Sequence, residues 1–135
     1  MSQPVIATSL AGTTAVALAS GTAQWRADLD TAAGGAGEHP TPHDLLDGAL
    51  AACTTLTLQL YAKRKQYSLA AVRVQVVRDE DPTNYRLRRD VTVEGELSDA
   101  QRADLLRVAN ACPIHKALHK TFAIDTRLQP AGGDA

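Results

Sequence analysis

The sequence predicts an α+β fold, an antiparallel sheet packed on one long central helix, in a single domain spanning residues 1–135. Three observations carry this. Residues 42–66 pass from a helix-start signal through a nearly unbroken apolar run to a basic end. Short β-prone runs precede that helix, and two runs alternating apolar with polar residues follow it. Strands and helices are therefore segregated along the chain rather than strictly alternating, which favours an antiparallel sheet over a parallel one. A chain of this length buries a core without disulfide or metal staples.

The N-terminal strands occupy residues 4–29, as three runs at 5–10, 14–19 and 22–29 broken at Gly12 and Gly21. A glycine-rich loop, Ala32-Ala33-Gly34-Gly35-Ala36-Gly37, lacks the Gly-Lys-Ser/Thr ending that a phosphate loop needs. Pro40 and Pro42 stiffen its exit. Thr41 then caps the central helix, with Pro42 at the first helical position and Asp44 three residues past the cap. From Leu45 to Ala62 the run is apolar on nearly every side, so the helix reads as buried all round. Lys63, Arg64 and Lys65 suit its C-terminus.

Strands are expected over 71–97: Val72 to Val76 alternates, Asp79 to Asn84 turns, and Tyr85, Leu87, Val91 and Val93 continue the alternation in a hairpin. Helices fill 98–120, the first opened by the capping box of Ser98 and Gln101 and closing near Ala111, the second starting at Pro113 and running through Lys120. A last strand is expected at 121–128. At 1.5 Å per residue the central helix spans roughly 37 Å, longer than a small domain is wide. An apolar helix that outruns its domain calls for a second copy across a two-fold interface.

Fourteen basic against fifteen acidic residues, with one Phe and one Trp, exclude the charge and the stacking platform of a nucleic-acid binder. No Lys or Arg precedes Arg26, so the small apolar N-terminus reads as no secretion signal, and no segment reads as a membrane span. Two cysteines make no secreted disulfide framework. The chain reads as cytoplasmic, its thiols reduced.

Cys53, in mid-helix among Leu50, Ala52, Leu56 and Thr57, suits a small buried hydrophobe as well as a reactive thiol. Cys112, ahead of Pro113 at a helix start and one turn from Lys116, has the better physical case for a lowered pKa. A zinc site built from Cys112 and His115 with Cys53 and His119 or His43 is the competing use, resting on a single close pair of ligands. The reading carries no cofactor and no metal.

Ala51-Ala52-Cys53-Thr54 on the long helix, Gly95-Glu96-Leu97-Ser98, and Ala111-Cys112-Pro113-Ile114-His115 together resemble the OsmC/Ohr family of osmotically induced and organic-hydroperoxide-resistance proteins, closer to the broad OsmC-like branch. The resemblance runs from about Trp25 onward. It implies an intertwined homodimer with a thiol peroxidase site at its interface, acting on organic hydroperoxides and recycled by a dithiol or lipoylated protein. Cys53 would match the peroxidatic thiol and Cys112 the resolving one. The family's peroxidases set an arginine beside the thiolate and a glutamate, ten residues before the cysteine, that holds it. Here His43 stands at the glutamate position, and Arg26 is the one arginine before Cys53. His43 would orient an arginine when neutral or serve as the cation itself when protonated. A protein on the same scaffold that binds an apolar small molecule in the interface pocket is the alternative.

Overall fold

The computed structural model describes residues 2–132. Strands β1 (Ile6–Ser9), β2 (Val16–Ser20) and β3 (Ala23–Ala27) form an antiparallel three-stranded sheet. Helix α1 (Pro42–Lys65) follows, then β4 (Ser68–Glu80) and β5 (Tyr85–Glu96), paired as a long antiparallel hairpin, then helices α2 (Asp99–Ala109) and α3 (Pro113–Leu118). The expected single sheet is thus two sheets within one chain, and only the hairpin packs extensively on α1.

Helix α1 begins as its sequence requires. The Thr41 hydroxyl accepts from the Asp44 amide, the Asp44 carboxylate accepts from the Thr41 amide, and Pro42 stands where a helix has no use for an N–H. It ends at Gln66, which takes a left-handed conformation (φ 59°) and donates its N–H back to the last turn. By length and composition α1 would pass as a membrane span, yet it packs against β4, α2 and α3. Within the single chain only Leu50, Thr54, Leu58 and Ala62 are fully covered, so burial on the other faces would have to come from the expected second copy. Their four-residue spacing defines one stripe facing the hairpin and the short helices. Leu46, Leu56 and Leu60 stand 39%, 65% and 49% exposed. Apolar composition alone does not say which faces the same chain can cover.

Leu58, Ala62, Leu105, Val108 and Ala109 form the core, with Tyr61, Tyr67, Val72, Val91 and Val93 packed against it. Tyr61 and Tyr67 both donate their hydroxyls to Asp104 at 2.7 Å, which ties α1 to α2. Gly95, at φ +143°, is required where the hairpin shifts register, since a Cβ there would lie 2.0 Å from the Ser68 carbonyl oxygen. The Asp28 carboxylate pins the glycine-rich loop, accepting from Thr14, the Leu29 amide and the Ala36 amide.

The expected last strand does not form. Residues 121–128 pair with nothing, and Phe122, Ile124 and Leu128 are exposed. A strand needs a ladder neighbour, and among the described residues none pairs with that segment. α2 ends at Ala109 rather than near Ala111, and α3 at Leu118 rather than Lys120. The surface totals 10186 Å². A compact monomer of 14.3 kDa exposes about 6,800 Å². The chain is therefore much more open than a self-contained domain.

Candidate active site

The site lies where α1, β5 and the start of α3 meet. Cys53 sits on the flank of the α1 stripe, half-buried, its Sγ 4.0 Å from the Thr57 hydroxyl one turn on. Its neighbour Thr54 points inward and is fully buried. Cys112 occupies the N-cap of α3 because Pro113 forces the preceding residue out of the helical region. That turns its sulfur toward α1, where it is fully buried and accepts the His115 amide at 3.3 Å. Both cysteines are free thiols. Cys112 Sγ lies 3.6 Å from the hydroxyl of Thr54, the residue next to Cys53 in the chain.

Arg89 completes the group. It projects inward from β5, its Nη1 donating to Thr54 Oγ1 at 3.0 Å and toward Cys112 Sγ at 4.0 Å. Its Nη2 donates to Asn110 Oδ1 at 2.8 Å and meets His115 Nδ1 at 3.2 Å. Burial pushes the Cys112 thiol up, but the His115 amide, the Thr54 hydroxyl, the Cys53 thiol and the Arg89 charge outweigh it and hold the group below the ordinary cysteine value. Of these, Thr54 contributes least. A hydroxyl has one hydrogen, and here it is given to the Leu50 carbonyl at 2.8 Å. His115 is pushed down by burial, then by Arg89 and by His119, whose ring centroid is 4.7 Å away. A neutral His115 can accept from Arg89 at Nδ1.

The sequence-expected partners of the thiols lie elsewhere in the chain. His43 is at the start of α1, stacked on Tyr85 with ring centroids 5.9 Å apart, its Nε2 3.4 Å from Glu80. Arg26 is exposed on β3, lining a shallow groove with Leu18, Gln24 and Trp25. Neither is hydrogen-bonded to Cys53 or Cys112 of its own chain among the described residues. Sequence reasoning named both cysteines and missed Arg89, Asn110 and the inward role of Thr54. The missed signal is a gap in the β5 alternation, because Arg89 falls on the same face as Tyr85, Leu87, Val91 and Val93.

Beside the site lies a cavity of about 430 Å³ lined by five aliphatic side chains, Leu50, Leu87, Val91, Leu106 and Leu118, and equally by Tyr85, Arg89, Asn110, His115 and His119. Among the described residues no group of three or more His, Cys, Asp or Glu side chains is arranged to hold a metal ion.

Residues 35–127 match the family model described as OsmC-like protein. The fold matches an osmotic stress induced and detoxification response protein from Psychrobacter arcticus, with a TM-score of 0.75 at 22% identity over 85% of this chain and 87% of that one. An OsmC-like protein from Mycoplasma pneumoniae matches with a TM-score of 0.74 at 20% identity, covering 87% of each chain. The organic hydroperoxide resistance protein OhrB of Bacillus subtilis matches with a TM-score of 0.58 at 23% identity, over 88% of this chain and 91% of that one. Among curated proteins nothing matches.

Proposed function

The chain belongs to the OsmC-like protein family, and from that premise we propose that it is a thiol-dependent peroxidase that reduces organic hydroperoxides as a cytoplasmic homodimer. Family and fold do not fix chemistry by themselves. The observation that carries the proposal is a pair of free thiols of unlike exposure, Cys53 half-buried and Cys112 fully buried against Thr54, the residue next to Cys53. That difference divides the roles. The Cys53 sulfur attacks the peroxide, forming an S–O bond as the O–O bond breaks and the alcohol departs. Cys112 then attacks the Cys53 sulfenic acid, forming the disulfide and releasing water. A dithiol or a lipoylated protein returns both thiols.

Three features support the homodimer: the exposed leucines of α1, the unpaired apolar segment at 121–128, and the surplus surface. A two-fold partner would cover the first and offer a sheet edge to the second. Arg26 and His43 would reach a thiol only from such a partner.

The test is direct. Cumene or tert-butyl hydroperoxide should consume two thiols per chain and leave an intramolecular disulfide, while Cys112→Ser should stop at an oxidised Cys53. Retention of both free thiols under excess hydroperoxide would overturn the reading. A second reading, a binding protein for an apolar small molecule, draws on the leucine-walled cavity. It predicts ligand binding undiminished when both cysteines are replaced by serine.

A further inference from the structure

We propose that the cavity bounded by β5, α2 and α3 is a binding site for an aliphatic carboxylate, its head group on Arg89 and its chain along Leu87, Val91, Leu106 and Leu118. The proposal does not depend on the peroxidase reading of the thiols. It refines the ligand of the second reading, which becomes an anion rather than a neutral hydrocarbon.

Two arginines of the hairpin are partly covered. Arg78 is answered by carboxylates, Asp47 through its Nη1 and Asp44 at 3.7 Å. Arg89, half-exposed at the cavity wall, has no carboxylate within ion-pair distance among the described residues. Its Nη1 turns to the buried side, toward Thr54 and, at 4.0 Å, Cys112, neither of which lines the cavity. Its Nη2 turns to Asn110 Oδ1 and His115 Nδ1, and both of those residues do line it. An amide does not ionise, and burial and Arg89 push His115 toward its neutral form, so these partners accept hydrogen bonds without supplying charge. The fifth donor, Nε, has no partner among the described residues.

Nε and Nη2 form the parallel edge on which a guanidinium takes a carboxylate. The chain uses that edge elsewhere. Arg86 gives Nε and Nη2 to Asp79 at 3.3 and 3.0 Å, and Arg107 gives both to Asp104 at 3.2 and 2.6 Å. At Arg89 the same edge borders a cavity instead of an acid.

The rest of the cavity selects the tail. Leu87 and Val91 flank Arg89 on one face of β5, and Leu106 and Leu118 close in from α2 and α3. Leu106 is 60% exposed, so a bound chain has apolar surface left to cover. The volume of about 430 Å³ falls toward the lower end of the range for small-molecule sites, about 300–1,000 Å³. Arg89 is the one permanently charged group in the lining, which matches a monoanion. A phosphate monoester, with a charge of about −2, would bring a second negative charge that no permanent cation of the lining answers.

The test is calorimetric titration of the reduced parent protein with octanoate. No peroxide is present, so failure here and failure of the peroxidase reading are separate results. Octanoate should bind saturably, and 1-octanol about tenfold more weakly. Butanoate, with its shorter chain, should also lose at least about tenfold, since each buried methylene is worth up to about fourfold. Arg89→Gln should weaken octanoate binding about tenfold and leave octanol unchanged, while Arg89→Lys, which keeps the charge, should recover part of the loss. Leu106→Gln, at an exposed position that folding does not depend on, should weaken octanoate and octanol alike. Thermal melting checks that each variant is folded. No saturable octanoate binding, or binding unchanged in a folded Arg89→Gln protein, overturns the proposal. Octanol bound as tightly as octanoate overturns it in favour of a neutral ligand. Octanoate bound only as the protein dissociates, seen by sedimentation, overturns it in favour of a second copy in the groove.

Discussion

Replacing Leu56 by aspartate should split the proposed dimer. Leu46, Leu56 and Leu60 on α1 leave 39%, 65% and 49% of their surface uncovered, about one and a half leucines in total. At about 1.5–3 kcal/mol for a fully buried leucine, covering them is worth about 2–5 kcal/mol per chain, twice that for a symmetric pair. The wider surplus has the scale of an obligate interface: 10186 Å² exposed against about 6,800 Å² for a compact monomer leaves about 3,400 Å² per chain. Leu56→Asp removes about 1–2 kcal/mol of burial per chain and puts a carboxylate in its place, costing a further 1–3 kcal/mol or more. Counted on both chains, that is at least about 4 kcal/mol, or about a thousandfold in the dissociation constant. Sedimentation velocity at micromolar concentration should show a dimer for the parent protein and a monomer for Leu56→Asp. Leu56→Ala should fall between them and dissociate on dilution. A parent protein that sediments as a monomer, or a Leu56→Asp variant of unchanged dimer mass, would refute the argument that a second copy covers this helix.

Two further predictions concern the single-chain core. Leu58 is fully buried, so Leu58→Ala should cost about 2–5 kcal/mol, read as a lower urea midpoint with unchanged slope. The Asp104 carboxylate, accepting from Tyr61, Tyr67 and Arg107, is held at about 2, while the hydrogen bond to Asp104, with burial and the negative charge, pushes Tyr67 up to about 12. Asp104→Asn should bring the Tyr67 phenolate transition back toward 10, and a transition that stays high would show that burial rather than the charge sets it. Between about pH 4 and pH 2 the unfolded chain binds a proton at Asp104 that the folded chain does not, so this stabilisation is present above pH 4 and lost as pH falls through 2. Acid unfolding monitored by circular dichroism should therefore be shallower in Asp104→Asn over that window.

Local chemistry was legible where it is written at short range. The capping boxes at Thr41 and Ser98 need only residues three apart, and both formed. The hairpin followed from alternation, although β4 starts at Ser68 and runs to Glu80, further than the clean alternation of Val72 to Val76 indicated. The segment at 121–128 shows why alternation is insufficient: Phe122 and Ile124 suit a strand, but a ladder is a property of two segments, and its second member is not in the described chain. The same limit holds for α1, whose exposed leucines no described segment of its own chain covers.

The site divides along the same line. Cys53 and Cys112 were named from the resemblance of their motifs, and local chemistry alone gave only the N-cap place of Cys112 ahead of Pro113. Arg89 sits in the run Arg86-Leu87-Arg88-Arg89, where composition suggests a solvated surface. Period-two counting separates them. Arg86 and Arg88 point outward to Asp79 and Asp81 and to Asp90, while Arg89 takes an inward place opposite Val76. An inward charge between Leu87 and Val91 must meet an answering group, and the sequence says only that one exists. Among the carboxylates, thiols and histidines that would serve, the fold brings Cys112 and His115 to it and, among the described residues, no acid. That choice is made by the approach of α3 to β5 across a separation of more than twenty residues, which no local pattern records. Within one chain it sets Arg89, rather than His43 or Arg26, beside Cys112.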